Sequence, residues 1–143
     1  MSSNLSRGPY VQAALLCERV VQESGGRVTI VRLLDRVVVR TAVAASPAQI
    51  RPTIVSCHAV VILKTGSRPG NYKLRLVLTS PTKRKLREFS VDINLPDEED
   101  KGVNIVMPIQ FEAKEEGVYW FEVRLDGEEL PLTKTSLRLV RRG

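Results

Sequence analysis

GVYWFEVRLDGEELPLTKTSLRLV, from Gly117 to Val140, decides the fold class. Side chains of an extended chain point alternately to opposite faces. Tyr119, Phe121, Val123 and Leu125 therefore share one face, and Val118, Trp120, Glu122 and Arg124 share the other. Asp126-Gly127 then reverses the chain, since both residues accept positive φ. Pro131 has no N–H for a ladder and keeps Glu128–Leu132 out of a central strand. Leu137 and Leu139 alternate with Arg138, which predicts a last strand over Ser136–Arg141.

The same period of two runs outward from this stretch. Tyr72, Leu74, Leu76 and Leu78 alternate with Lys73 and Arg75. Phe89, Val91, Ile93 and Leu95 alternate with polar residues, as do Val103, Ile105, Met107, Ile109 and Phe111. Each reads as a strand with one wet face. Turn signals separate them: Arg68-Pro69-Gly70, Ser80-Pro81-Thr82, Pro96 to Gly102 and Glu115-Glu116-Gly117. This spacing predicts an all-β fold, a mostly antiparallel β-sandwich (immunoglobulin-like or jelly-roll-like) of about seven to nine strands. Residues 1–143 are expected to form one domain, with 1–8 a flexible N-terminus.

The first third is less regular. Ile54 to Leu63 is apolar on both faces, as a central strand would be. Tyr10 to Gln22 fits either a helix or a strand; a hairpin turning at Gly25-Gly26 into Val28–Val39 is the favoured reading. Apolar parity changes near Asp35-Arg36, which implies a bulge or a strand passing from one sheet to the other. Ser46-Pro47-Ala48-Gln49 carries N-cap signals for one short helical turn near 46–51, ended by Pro52.

ALLCERVVQESGGRVTIVRLLDRVVV, Ala14 to Val39, resembles the opening of a family of small uncharacterised bacterial β-sandwich proteins. The closing pattern Gly117-x-Tyr119-x-Phe121-x-Val123-x-Leu125-Asp126-Gly127 resembles that family as well. The resemblance implies a cytoplasmic β-sandwich and brings no catalytic residues.

Composition agrees with a globular chain. Of 143 residues, 43% are apolar and 27% charged, and no apolar run approaches the roughly 20 residues that span a bilayer. MSSNLSRGPY has no apolar core of a secretory signal. Cys17 and Cys57 sit in apolar stretches and read as reduced, buried thiols. Together these favour the cytoplasm. The net charge of +6 is uneven: residues 1–95 hold 15 Lys/Arg against 5 Asp/Glu, and residues 96–143 hold 7 against 11. Such asymmetry suits electrostatic steering or head-to-tail self-association, or simply solvated strand faces.

Few groupings suggest chemistry. His58 and Cys57 are adjacent in a strand, so they face opposite ways and make a poor dyad. One His and two separated Cys cannot form a four-ligand zinc site. Counted from Asp97, the Asp97-Glu98-Glu99-Asp100 cluster puts Gly102 at position six of a calcium loop but Pro108 where the twelfth-position Glu belongs. There is no Gly-rich phosphate loop. No metal, cofactor or catalytic residue is therefore expected, and the chain does not read as an enzyme. Glu18 and Asp35 interrupt apolar stretches, and a buried Glu18–Arg36 pair at a sheet corner is the expected use of them, with a ligand pocket at that corner as the alternative. Lys83, Arg84, Lys85 and Arg87, with Lys73 and Arg75, could form one basic stripe. With few aromatics beside it, nucleic-acid binding is not expected. Trp120 and Val118, with Val77 if its strand adjoins, would make a small apolar patch, either an interface or covered by Thr41–Pro52.

The leading functional expectation is a non-enzymatic binding or assembly module that docks a protein partner or self-associates. The alternative is a sandwich that binds a small anionic ligand or nucleotide through the Arg-rich first half.

Overall fold

A computed structural model describes residues 7–40 and 49–142, with 49–51 as backbone alone. Nine strands lie among the described residues: β1 (Tyr10–Gln22), β2 (Val28–Leu33), β3 (Arg36–Arg40), β4 (Gln49–Lys64), β5 (Gly70–Thr79), β6 (Lys85–Leu95), β7 (Gly102–Glu115), β8 (Gly117–Leu125) and β9 (Thr133–Arg142). They form a four-stranded sheet, β2-β1-β4-β7, and a five-stranded sheet, β3-β9-β8-β5-β6. This is the expected all-β sandwich. One pairing departs from the antiparallel rule: β3 runs parallel to β9. Among the described residues no helix is long and apolar enough to cross a membrane.

Alternation builds the core. Leu74, Leu76 and Leu78 of β5, side by side with Tyr119, Phe121, Val123 and Leu125 of β8 and Leu137 and Leu139 of β9, face every second residue of β4 from Val55 to Leu63. Phe111 centres the aromatic contacts, with ring centroids 5.4 Å from Tyr119 and 6.1 Å from Phe121. The Tyr119 hydroxyl donates to Glu115 O at 2.6 Å and accepts from Glu115 N at 3.2 Å, closing the β7–β8 corner. Burial raises its pKa, so the phenol stays protonated and able to donate.

Two expectations fall largely outside the described residues. Residues 46–48 of the expected helical turn lie outside the described residues, but Gln49–Arg51 begin β4, with Gln49 opposite Glu115. A lone helical turn has no cooperative stability to set against strand pairing. Residues 1–6 of the expected flexible N-terminus also lie outside the described residues, whereas Arg7 and Gly8 are held. Ser67 N and Oγ both donate to Arg7 O, at 2.8 and 3.0 Å, and Gly8 is buried. A Cβ on Gly8 would come 2.9 Å from Thr65 O, and its φ of +80° suits glycine.

The outer face of the four-stranded sheet explains why β4 is apolar on both sides. Val60 lies on that face, in parity with His58 and opposite the core, and so does Cys17, the Cα partner of His58. Both have 0% exposure. Their cover is the β1–β2 hairpin. β1 leaves β4 after Cys17 and stays paired only with β2. The hairpin then folds back over the sheet, so that Asn104 Nδ2 on β7 donates to Gly26 O at the turn, 2.9 Å away. Val20, Val28, Ile30 and Val31 of the hairpin are half-buried as a result.

After the hairpin the chain changes sheets. Leu34 N donates to Leu16 O at 2.9 Å on one sheet, and Asp35 O accepts from Arg138 N at 3.0 Å on the other. This crossing is the parity change seen at Asp35-Arg36.

Two outcomes check this account. Tyr119→Phe should cost about 1–2 kcal/mol in denaturant unfolding, because it strips the corner of its hydroxyl. Asn104→Ala removes a hydrogen bond worth about 1 kcal/mol, so the hairpin should open about fivefold more often. Alkylation of Cys17 should accelerate by that factor. Cys57, in the core and with its thiol pKa pushed up to about 11 by burial, should stay slow.

Candidate functional site

The sheet switch determines which charged residues meet. In β3, Val37 and Val39 pack on the core, which turns Arg36, Val38 and Arg40 outward. In β9, buried Leu137 and Leu139 turn Ser136, Arg138, Val140 and Arg142 outward. The parallel register sets Arg36 beside Arg138, Val38 beside Val140 and Arg40 beside Arg142. Two arginine rungs thus stand on one open face, about 13 Å apart along the strands. Between them lies an apolar strip of Val38 (44% exposed) and Val140; on β8 Val118 is level with Arg138, and Trp120 lies one row beyond, level with Ser136. Trp120 is 38% exposed between Thr79 and Ser136, and Lys134 Nζ lies 4.6 Å over its ring.

The rest of the same face is balanced. Arg75 lies 3.3 Å from Glu88 and 2.7 Å from Asp126. Lys85 reaches Glu88 at 3.0 Å, and Arg124 reaches Glu122 at 2.8 Å. Lys73 sits opposite Asp92. The hydrogen bond from Lys85, with the charges of Lys85 and Arg75, holds the Glu88 carboxyl below its ordinary pKa. By contrast Arg40, Arg138 and Arg142 have no ion pair among the described residues, and Arg36 has a loose contact of 3.8 Å to its neighbour Asp35. Like charges directly opposite on a sheet destabilise it. The arginine rungs are therefore placed against the local interest of the fold.

The expected basic stripe is broken in the structure. Arg75 is on the face but neutralised, Lys85 is paired, and Lys73 stands across from Asp92 without an ion pair to it. Lys83 and Arg84 occupy the exposed β5–β6 tip. Arg87 has the opposite parity: it stands across from Leu78, donates to Gln110 O at 2.6 Å and lies 4.8 Å over the Phe89 ring. It bridges the two sheets at their edge. The buried Glu18–Arg36 pair is also corrected. Glu18 is opposite Arg32 in the hairpin and pairs with it at 3.2 Å, both side chains being more than half exposed. Arg36 is in the other sheet, and Asp35 is exposed at the crossing. The hairpin leaves β4 at Cys17, so Glu18 never reaches the core. Surface pairs of this kind contribute about 0–1 kcal/mol.

His58 points away from the core while Cys57 points into it. Its Nδ1 is 3.2 Å from Glu18 O, beneath the hairpin. With Ser56, Pro108 and Gln110 it lines a shallow depression of about 440 Å³ rimmed by Glu18 and Arg87. Among the described residues no group of three or more His, Cys, Asp or Glu could hold a metal ion.

Arg138, Arg40 and Arg142 were missed because alternation assigns a face within a strand and not a neighbour. The available signal was a repeated spacing, Arg36-x-x-x-Arg40 and Arg138-x-x-x-Arg142. No curated protein matches the chain in sequence. A family model matches residues 12–139, which take in at least part of all nine strands, and the chain therefore belongs to DUF6941, a family of unknown function.

Proposed function

We propose that the protein is a non-catalytic binding module that docks an acidic segment of a protein partner on the β3–β9 face. The observation that carries this reading is the contrast on a single sheet: Arg75 and Arg124 each have a carboxylate within 3.3 Å, while Arg40, Arg138 and Arg142 have no ion pair among the described residues. Guanidinium groups match carboxylates in bidentate geometry, and Arg and Trp are enriched where interfaces hold their energy. The valine strip between the rungs would receive apolar side chains of the same segment. A small anion or nucleotide, by comparison, binds in an enclosing cleft, and this face is open. The two buried free thiols support a reducing compartment, the cytoplasm, and the resemblance noted above supports a bacterial setting.

Trp120 is the chain's one tryptophan and borders the face, so its fluorescence reports occupancy. A glutamate-rich peptide should change it saturably and salt-dependently, and inorganic phosphate or ATP should not. Loss of all peptide response at low salt would overturn the reading; a response to ATP alone would transfer the site to a small anion. Arg138→Thr supplies a second check. It relieves one like-charge rung and should raise stability by about 0.5 kcal/mol in chemical denaturation. The same change should weaken the peptide.

A further inference from the structure

We infer that the acidic segment this face accepts is that of a second copy of the chain: the β6–β7 loop, Asp97 to Asp100. The inference rests on the docking reading above and names its partner.

Strand registers locate the charges. Gly70 opposite Leu95, Lys64 opposite Gly102 and Asp126 N on Lys73 O put the β6–β7 loop and the β8–β9 turn at one end of the sandwich. Asp97, Glu98, Glu99, Asp100, Asp126, Glu128 and Glu129 gather there. Gly117 opposite Leu139 and Arg40 opposite Arg142 put the outer arginine rung at the other end, with the Lys83-Arg84 tip. The two sites also lie at opposite edges. The loop joins β6 and β7, which are edge strands, and the arginines stand on β3 and β9 across the sheet. Acid and base thus occupy diagonal corners, separated by roughly 30 Å of strand, about three Debye lengths or more at physiological salt. They cannot neutralise each other within one molecule.

The loop is built to be presented. Gly66 N donates to Glu99 O at 3.0 Å, Thr65 N to Lys101 O at 2.7 Å and Lys101 N to Glu98 O at 3.2 Å. Lys101 pairs with Glu98 at 2.9 Å, and Asp97, Glu99 and Asp100 have no ion pair among the described residues. A carboxylate cluster pinned by its backbone loses little entropy on docking. Its counterpart is the pair of arginine rungs, in which Arg40, Arg138 and Arg142 likewise have no ion pair among the described residues. The contact joins two different surfaces, so it is heterologous and extends into a ring or an open chain of copies.

The test uses sedimentation velocity of the full chain with two neutralised variants, Asp97→Asn/Glu99→Gln/Asp100→Asn and Arg40→Gln/Arg138→Gln/Arg142→Gln. All six positions are exposed, so both variants should fold, the loop variant melting as the wild type does and the arginine variant slightly higher because its like-charge rungs are relieved. Wild-type particles should grow with concentration at low salt and return to monomers at high salt. Each variant alone should be monomeric. Mixed, they should form a one-to-one pair and nothing larger, because one intact arginine face meets one intact loop and the remaining surfaces are both disabled. A wild type that stays monomeric at low salt, or an association indifferent to the loop variant, overturns the inference. If the glutamate-rich peptide still shifts Trp120 fluorescence in that case, the docking reading stands with a different protein as partner. If it does not, both readings fail.

Discussion

The hydrogen bond from Arg138 N to Asp35 O, 3.0 Å long, fixes the register on which the open face depends. The chain arrives at Asp35 from the four-stranded sheet, and this bond is its first attachment to the five-stranded one. From there β3 can only run alongside β9 in the same direction, and residue 36 falls beside residue 138. A shift by one residue would turn Arg36 and Arg40 toward the core, where Val37 and Val39 now pack. Apolar burial therefore enforces the register, and the register in turn enforces arginine beside arginine. The like-charge contacts are a consequence that the fold carries because the valines offset it: each half-buried valine contributes about 1 kcal/mol, against a few tenths for each rung.

A second constraint acts on the opposite sheet. β4 pairs with β1 on one side and β7 on the other, so its backbone is satisfied, but its outer face still carries Val60 and its neighbours. Apolar alternation on both faces demands two covers. One is the five-stranded sheet. The other is the β1–β2 hairpin, which gives up pairing with β4 after Cys17 in order to fold over it. The two cysteines record this layering: Cys57 lies in the inner core and Cys17 beneath the hairpin, so their side chains point to opposite faces of one sheet.

Local periodicity made much of this legible. β5 to β8 follow the alternation of Tyr72–Leu78, Phe89–Leu95, Val103–Phe111 and Tyr119–Leu125, because those strands have one wet and one dry face. Gly25-Gly26 marks its turn, with both glycines at positive φ, and the two-faced apolar run marks β4. What escaped was the three-dimensional placement of strands that are distant in sequence. Glu18 interrupts an apolar run and so suggests a core charge, yet that run divides at Cys17 between a sheet and the hairpin folded over it. Arg87 was grouped with Lys85 by proximity, although a register shift between Leu78 and Thr79 separates their faces. Arg40 and Arg142 lie about a hundred positions apart in the chain, and only their pairing makes them a site.

Protection of a sheet edge is the simplest alternative account of arginines on β3. Edge strands are commonly guarded by charge, and β3 is an edge with exposed Val38 at its centre. That account explains Arg36 and Arg40. It does not reach Arg138, where β9 is paired on both sides and needs no guard. A guard also works as well with a single charged strand, and a neighbour of opposite sign would add stability where Arg138 and Arg142 remove it. The second arginine column is thus the part of the surface that edge protection leaves unexplained, and it is the feature on which the proposal of an acidic partner segment rests.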